Sequence, residues 1–321
     1  MWQPERAVSG PQPLTEKDIP VLNRLFAEAF TDRYRRDGLV GVRVPYLHQA
    51  IWRYALADAG EGAMAWRDEA DRLVAFNIAH KSGSEGWMGP LAVRPDRQTG
   101  GLGKTIVRAA VEWLQAQGVS TLGLETMPRT VDNIGFYSRL GFVPHHLTIT
   151  MTAEASTGGM PGGVTTLETL EGGERERRLG EIRGLVDALQ PGVDFGREIA
   201  LTRELRLGDV VLVGPPGALE AFALCHTAPL AEQGSREETR VLKVAARSLD
   251  ALLVVLDAVA VWAGREGARR IGVRCQTGYG EAFRALVHRG FRVRWTDLRM
   301  TVAGYPERTP SQGVVWSNWE V

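Results

Sequence analysis

Val93-Arg94-Pro95-Asp96-Arg97-Gln98-Thr99-Gly100-Gly101-Leu102-Gly103-Lys104 joins an apolar run that ends at Val93 to a stretch of helical periodicity that starts at Lys104. A loop of this composition between a strand and a helix offers consecutive backbone N–H groups to an anion. The helix behind it adds the positive end of its dipole. Gly101 and Gly103 have no Cβ, so a phosphate can approach the backbone closely. The natural ligand is a pyrophosphate. Three glycine signatures compete for the stretch. The Rossmann form G-x-G-x-x-G fails, because counting from Gly101 its last position is Ile106. The Walker form finds its second half in Gly103-Lys104-Thr105, but its first glycine falls on Gln98 and no convincing Walker B strand follows. The third form, Q/R-x-x-G-x-G/A, is met in full by residues 98–103. A plain glycine-rich βα turn stays open as an alternative.

Outward from the loop the chain alternates. Residues 15–30 begin with Thr-x-x-Asp and place Ile19, Leu22, Leu25, Phe26, Ala29 and Phe30 at helical spacing. A second helix is expected over 44–57. Residues 63–66 and 73–80 are short apolar runs that read as a hairpin, and 87–93 as a further strand. Beyond the loop come a helix over 104–117 closed by Gly118, a strand over 121–126, a helix over 133–140 and a strand over 142–152. This order predicts an α/β fold around a mixed sheet.

Residues 154–163 are rich in Gly and small side chains and read as a linker. After them the pattern restarts. Trp113 and Trp262 are 149 residues apart, and so are Gly118 and Gly267, Gly123 and Gly272, Gly141 and Gly290, and Phe142 and Phe291. Ala75-Phe76 with His80 matches Ala221-Phe222 with His226. A Trp, two Gly and a Gly-Phe pair in register indicate a duplication. We therefore expect two tandem domains, 1–153 and 164–321. At the same offset Gln98 falls on Arg247, Gly101 on Asp250, Gly103 on Leu252 and Tyr137 on Leu286, so the second domain should be degenerate. The first half shows one strand after Gly141 and the second half shows two after Gly290. The first sheet should therefore be completed from elsewhere, by residues 164–170 or by the Trp-bearing C-terminus.

The loop is followed by Tyr137-Ser138-Arg139-Leu140-Gly141-Phe142, a helix end of the form Tyr-x-x-x-Gly-Phe. With these two motifs and the opening helix, residues 14–152 resemble the GNAT superfamily of acyl-CoA-dependent N-acyltransferases. The resemblance implies acetyl-CoA as cosubstrate and no metal. The pyrophosphate would lie on Gln98, Thr99, Gly100, Gly101, Leu102, Gly103 and Lys104, and the pantetheine arm along Leu91, Ala92 and Val93. Where the family often has Asn seven residues before the Tyr, this chain has Thr130, with Asn133 as the nearby candidate. Tyr137 occupies the family's acid position. A phenol, with a reference pKa of about 10, is suited to protonate a leaving thiolate. For the base, Glu125, Glu85 and His80 are candidates, each with a structural role as the alternative. His145-His146 reads as a strand feature. Tyr34, Tyr46 and Trp52 are the aromatic candidates for the acceptor side.

The 321 residues carry 38 basic and 38 acidic side chains, and no basic stripe points to nucleic acid. The longest apolar run, 251–263, is too short to span a bilayer. The first residues have no apolar signal core, and two isolated cysteines make no disulfide or zinc framework. A cytoplasmic N-acetyltransferase for a small-molecule or peptide amine is the expectation. A non-catalytic acyl-CoA sensor is the alternative, and Tyr137 distinguishes them because a sensor has no use for its proton.

Overall fold

The computed structural model describes residues 7–98 and 100–319. The first half runs β1 (Val8–Pro13), α1 (Ile19–Arg36), α2 (Gln49–Ala59), β2 (Ala63–Asp68), β3 (Leu73–Ser82), β4 (Glu85–Val93), α3 (Leu102–Ala116), β5 (Thr121–Thr126), α4 (Val131–Ser138) and β6 (Phe142–Glu154). The second half runs β7 (Val164–Thr166), α5 (Gly172–Leu189), α6 (Gly196–Glu204), β8 (Gly208–Val213), β9 (Ala221–His226), β10 (Glu238–Ala246), α7 (Leu249–Arg265), β11 (Arg270–Gln276), α8 (Gly280–His288), β12 (Arg292–Val302) and β13 (Val314–Ser317).

Local chemistry sets these bounds. Asp18 accepts the Thr15 backbone N–H at 2.9 Å and Pro20 lies in the first turn of α1, so the helix starts there. It runs past residue 30 because Arg35 and Arg36 pair with Asp32 within the last turns. α2 starts five residues later than the pattern suggests. His48 Nδ1 caps it by accepting from the Ala50 N–H, and Pro45 disfavours helix before it. β1 was not legible in the sequence, since VSGPQP has neither alternation nor β-branched density beyond Val8. No helix among the described residues is long and apolar enough to cross a membrane.

The thirteen strands among the described residues form one mixed sheet in the order β1-β2-β3-β4-β5-β12-β6-β11-β10-β9-β8-β7, with β13 added beside β10. β5 does not pair with β6. β12 from the second half lies between them, with Thr301 opposite Gly123, and β6 in turn pairs with β11, with Thr152 opposite Gly272. These are the same contact at equivalent places in the repeat. Each half has inserted its last long strand into the other.

The strand that completes the first sheet is thus β12, rather than residues 164–170 or the C-terminus. Residues 164–166 pair with β8, and β13 stays in the second half. The cores explain the choice. Ile149 and Met151 of β6 are buried with α7 and the second-half strands, whereas Met300 of β12 is buried against α3, Leu122 and Tyr137. Burying each such side chain stabilises the exchange by about 1.5–3 kcal/mol. Gly123 is required at its crossing. A Cβ there would lie 2.8 Å from the Met300 carbonyl and 2.6 Å from the Trp87 ring.

Candidate functional site

β4 pairs with β5 in parallel only over residues 85–88. Next comes Gly89, at φ +137°, followed by Pro90. Against β3 the register slips here, so that Gly89 and Pro90 together oppose Ile78. Past this bulge residues 91–93 stay on β3 but leave β5. The gap opens into a pocket of about 310 Å³. Its walls are Ala29, Phe30, Arg33 and Tyr34 of α1, residues 88–93 of β4 with Gln98, Leu124, Glu125 and Thr126 of β5 with Met127, Asn133, Phe136 and Tyr137 of α4, and Trp295 and Asp297 of β12. Of the candidates, Leu91, Ala92, Val93, Gln98, Glu125, Asn133, Tyr137 and Tyr34 are brought together here.

The glycine loop continues from the open strand edge. Gln98 donates to the Val93 carbonyl and accepts from Arg36, each at 3.1 Å, which folds the loop back over the strand end. Gly101 stands at φ +81° as the N-cap of α3, a conformation that suits glycine, and no side chain among the described residues caps that helix. The Lys104 N–H turns back to the Gly101 carbonyl at 3.0 Å. Leu102 and Gly103 begin the helix, where backbone N–H groups have no carbonyl within the helix to donate to. Gly100 is exposed beside them, and Thr99 lies outside the described residues. Bare N–H groups at an uncapped helix start beside an open strand edge fit a pyrophosphate carrying an extended arm.

The repeat provides an internal control. β10 leaves β11 after Arg240 as β4 leaves β5 after Met88. There the gap is filled, because β13 pairs with residues 243–246. Between β10 and α7 only Arg247 and Ser248 remain, and Ser248 caps α7 by accepting the Ala251 N–H at 3.1 Å. The connection in this half is two residues long, against residues 94–101 in the first half, which corrects the expectation of a substituted loop of equal length. Asp250 lies in the first turn of α7, and Leu252 and Leu286 are core residues.

Tyr137 is buried, and its ring packs edge-on against Phe136 and Phe142. Burial pushes its hydroxyl well above the usual phenol range, so it stays protonated at neutral pH. The hydroxyl has no hydrogen-bond partner among the described residues. Glu125 is different. Its Oε1 accepts from Arg299 at 2.6 Å and Thr148 at 2.5 Å, and its Oε2 from Arg274. Burial raises its pKa, but the two guanidiniums outweigh burial and hold it below the usual carboxylate value, which leaves it a weak base.

The other base candidates stand outside the pocket. His80 bridges Asp58 at 2.9 Å and the Gly89 carbonyl at 3.2 Å, so it braces the bulge. Glu85 accepts from Gln190 at 2.8 Å at the opposite end of β4. Trp52 is fully buried between Phe26 and Phe76, Tyr46 is exposed away from the walls, and His145 pairs with the Thr301 hydroxyl at 2.7 Å. Thr130 is occupied by Asp37. Asp297, missed in the sequence, reaches the pocket only through the strand exchange. Burial pushes its carboxyl up, Arg274 opposes this, and the neighbouring Glu125 adds to the rise.

Residues 23–142 match the model of the acetyltransferase (GNAT) family. Over 72 residues the chain is 36% identical to the ribosomal protein bS18-alanine N-acetyltransferase of Salmonella typhimurium, a match that covers 22% of this chain and 49% of that one. A proposed acetyltransferase of Pyrococcus horikoshii superposes with a TM-score of 0.69 at 15% identity, over 99% of this chain and 96% of that one. A tandem GNAT protein from the clavulanic acid biosynthesis pathway superposes with a TM-score of 0.57 at 13% identity, over 95% of this chain and all of that one. At these identities the two structures establish a common fold.

Proposed function

We propose, from the match of residues 23–142 to the acetyltransferase (GNAT) family model and from the shared fold, that the chain is an N-acetyltransferase that moves the acetyl group of acetyl-CoA to a primary amine by direct attack. The observation that carries this reading is the open gap between β4 and β5, continuous with the uncapped start of α3. Acetyl-CoA, when bound, supplies a thioester carbonyl and a thiol leaving group. Backbone N–H groups at Gly101, Leu102 and Gly103 hold its pyrophosphate beside the Lys104 side chain, and the free edge at residues 91–93 pairs with its arm. Tyr137 keeps its proton until a thiolate needs it. A neutral phenol lining the pocket is a proton source for the departing thiolate. In the whole reaction the acceptor ammonium gives up two protons; one leaves on the thiol and the other goes to water.

We assign one acetyl-CoA per chain, in the first half, because β13 fills the corresponding gap in the second. The setting is the cytoplasm, and the acceptor is a small-molecule or peptide amine. The test is a thiol-release screen with acetyl-CoA against benzylamine, spermidine, an aminoglycoside and a peptide with N-terminal alanine, the last suggested by the Salmonella relative's acceptor. Turnover with at least one amine is expected. Stabilisation by ATP but not by acetyl-CoA would contradict the reading.

A further inference from the structure

Behind one wall of the pocket lies a cluster with more carboxylates than guanidiniums. Glu125, Asp297 and Glu307 meet two guanidiniums, Arg274 and Arg299. Arg299 is committed to Glu307 at 2.9 and 2.8 Å and to Glu125 at 2.6 Å, and lies 3.9 Å over the Trp87 ring. Arg274 is shared between Glu125 and Asp297, the latter at 3.0 Å. Glu125 accepts from three donors. Among the described residues Asp297 accepts from Arg274 and from the Trp295 indole N–H at 3.2 Å and from no other group, and it faces the pocket. The free lone pairs of the cluster therefore belong mainly to Asp297.

We propose that Asp297, brought into the first half by the exchanged strand β12, receives the ammonium of the acceptor and takes its proton. This rests on the acetyltransferase reading above. In the step an N–H bond of the ammonium breaks, an O–H bond forms on the Asp297 carboxylate, and the nitrogen lone pair becomes free to attack. The charged groups around Asp297 are Arg274 from β11, Glu125 from β5, Arg299 from its own strand and, across the pocket, Arg33 of α1, which pairs with Asp37 and Asp132. Tyr34 from α1, its hydroxyl pushed up by burial and by Asp297 itself, stays neutral. Tyr34 and Trp295 stand with ring centroids 5.9 Å apart and give the cation two aromatic faces. The acceptor class is thus a cationic amine on an apolar body. The proposal also gives the second half a part in the chemistry. At the equivalent place of the repeat stands Thr148, directly opposite Asp297 in the β6–β12 ladder, so the exchange is symmetric in structure but not in function.

The test compares wild type, Asp297→Asn and Asp297→Glu on the best amine of the panel named above. Wild-type kcat/KM should rise with pH through the raised carboxyl value of Asp297 and then level. Asp297→Asn should lose that limb, fall about 10²-fold or more at pH 7, and climb tenfold per pH unit towards the pKa of the amine. Asp297→Glu should recover at least tenfold. The acetyl-CoA dissociation constant and the melting temperature should stay nearly unchanged in both. An unchanged pH profile in Asp297→Asn contradicts the assignment, and so does loss of acetyl-CoA binding in both variants. A wild type that binds acetyl-CoA but acetylates no amine contradicts the enzyme reading and the role of Asp297 with it.

Discussion

Glu125 and Arg274 are the same position of the two repeats, 149 residues apart, and their side chains form an ion pair at the centre of the sheet. A duplicated fold with independent halves would keep such residues far apart. Here the reciprocal insertion of β6 and β12 brings the two β5-like strands, β5 and β11, to either side of the exchanged pair. The pair marks the junction where both halves meet, and it borders the pocket.

Because each half lacks its own closing strand, residues 1–155 alone should not fold. They would expose the edge of β5 and leave the place of Met300 empty in the first core. Circular dichroism should show little structure, and acetyl-CoA should cause no thermal shift. Co-expression with residues 156–321 should restore both. A first half that folds and binds alone would contradict the exchange.

Gly103→Leu should abolish stabilisation by acetyl-CoA and leave the unliganded melting temperature within about 2 °C. A Cβ at this position meets only Phe136, at 3.5 Å, an ordinary contact, so the fold tolerates a side chain that the pyrophosphate does not. Differential scanning fluorimetry reads both quantities, and a retained ligand shift would place the cradle elsewhere.

Tyr137→Phe should lower kcat by about 10²–10⁴. Acetyl-CoA affinity should hold, because the ring keeps its packing against Phe136 and Phe142. Its hydroxyl serves no neighbour among the described residues, so the melting temperature should not fall. Steady-state kinetics with a titration of the coenzyme separates these, and an unchanged kcat at every pH would make Tyr137 a packing residue.

A buried carboxylate ties the junction to pH. Glu198 accepts from the Ser82 hydroxyl and lies 3.5 Å from Lys243, which also reaches Ser317 at 3.2 Å and stands 4.3 Å from the Trp319 ring. Burial raises the Glu198 carboxyl to about 7, Lys243 opposing and Asp58 adding to the rise. The folded value exceeds the ordinary unfolded one, so this stabilisation is complete at acid pH and is lost as pH rises through about 7. Wild type should lose about 2–4 °C more in melting temperature between pH 5 and 8 than Glu198→Gln. Equal slopes would remove Glu198 as the cause.

The loop at residues 98–103, the Tyr-x-x-x-Gly-Phe helix end and the repeat were all legible because each needs particular residues at fixed spacing. Gly123 and Gly272 were visible as a repeated pair, and they prove to be where the exchanged strands cross. The partner of those crossings was not visible. β6 and β12 are of similar length, 13 and 11 residues, and the two cores decide which half each enters. Asp297 was unreadable for the same reason, since its strand belongs by sequence to the other half. The bracing role of His80 depends on the carbonyl of a bulge, which Gly89-Pro90 hints at only once the neighbouring strand is in place.

The central claim is a single coenzyme site, built by the first half and closed by β13 in the second. Isothermal titration of the full chain with acetyl-CoA tests it most directly, run in parallel on Gly103→Leu. One site per chain in the wild type and none in Gly103→Leu is the predicted result. Two sites per chain, or one site that survives in Gly103→Leu, would contradict it.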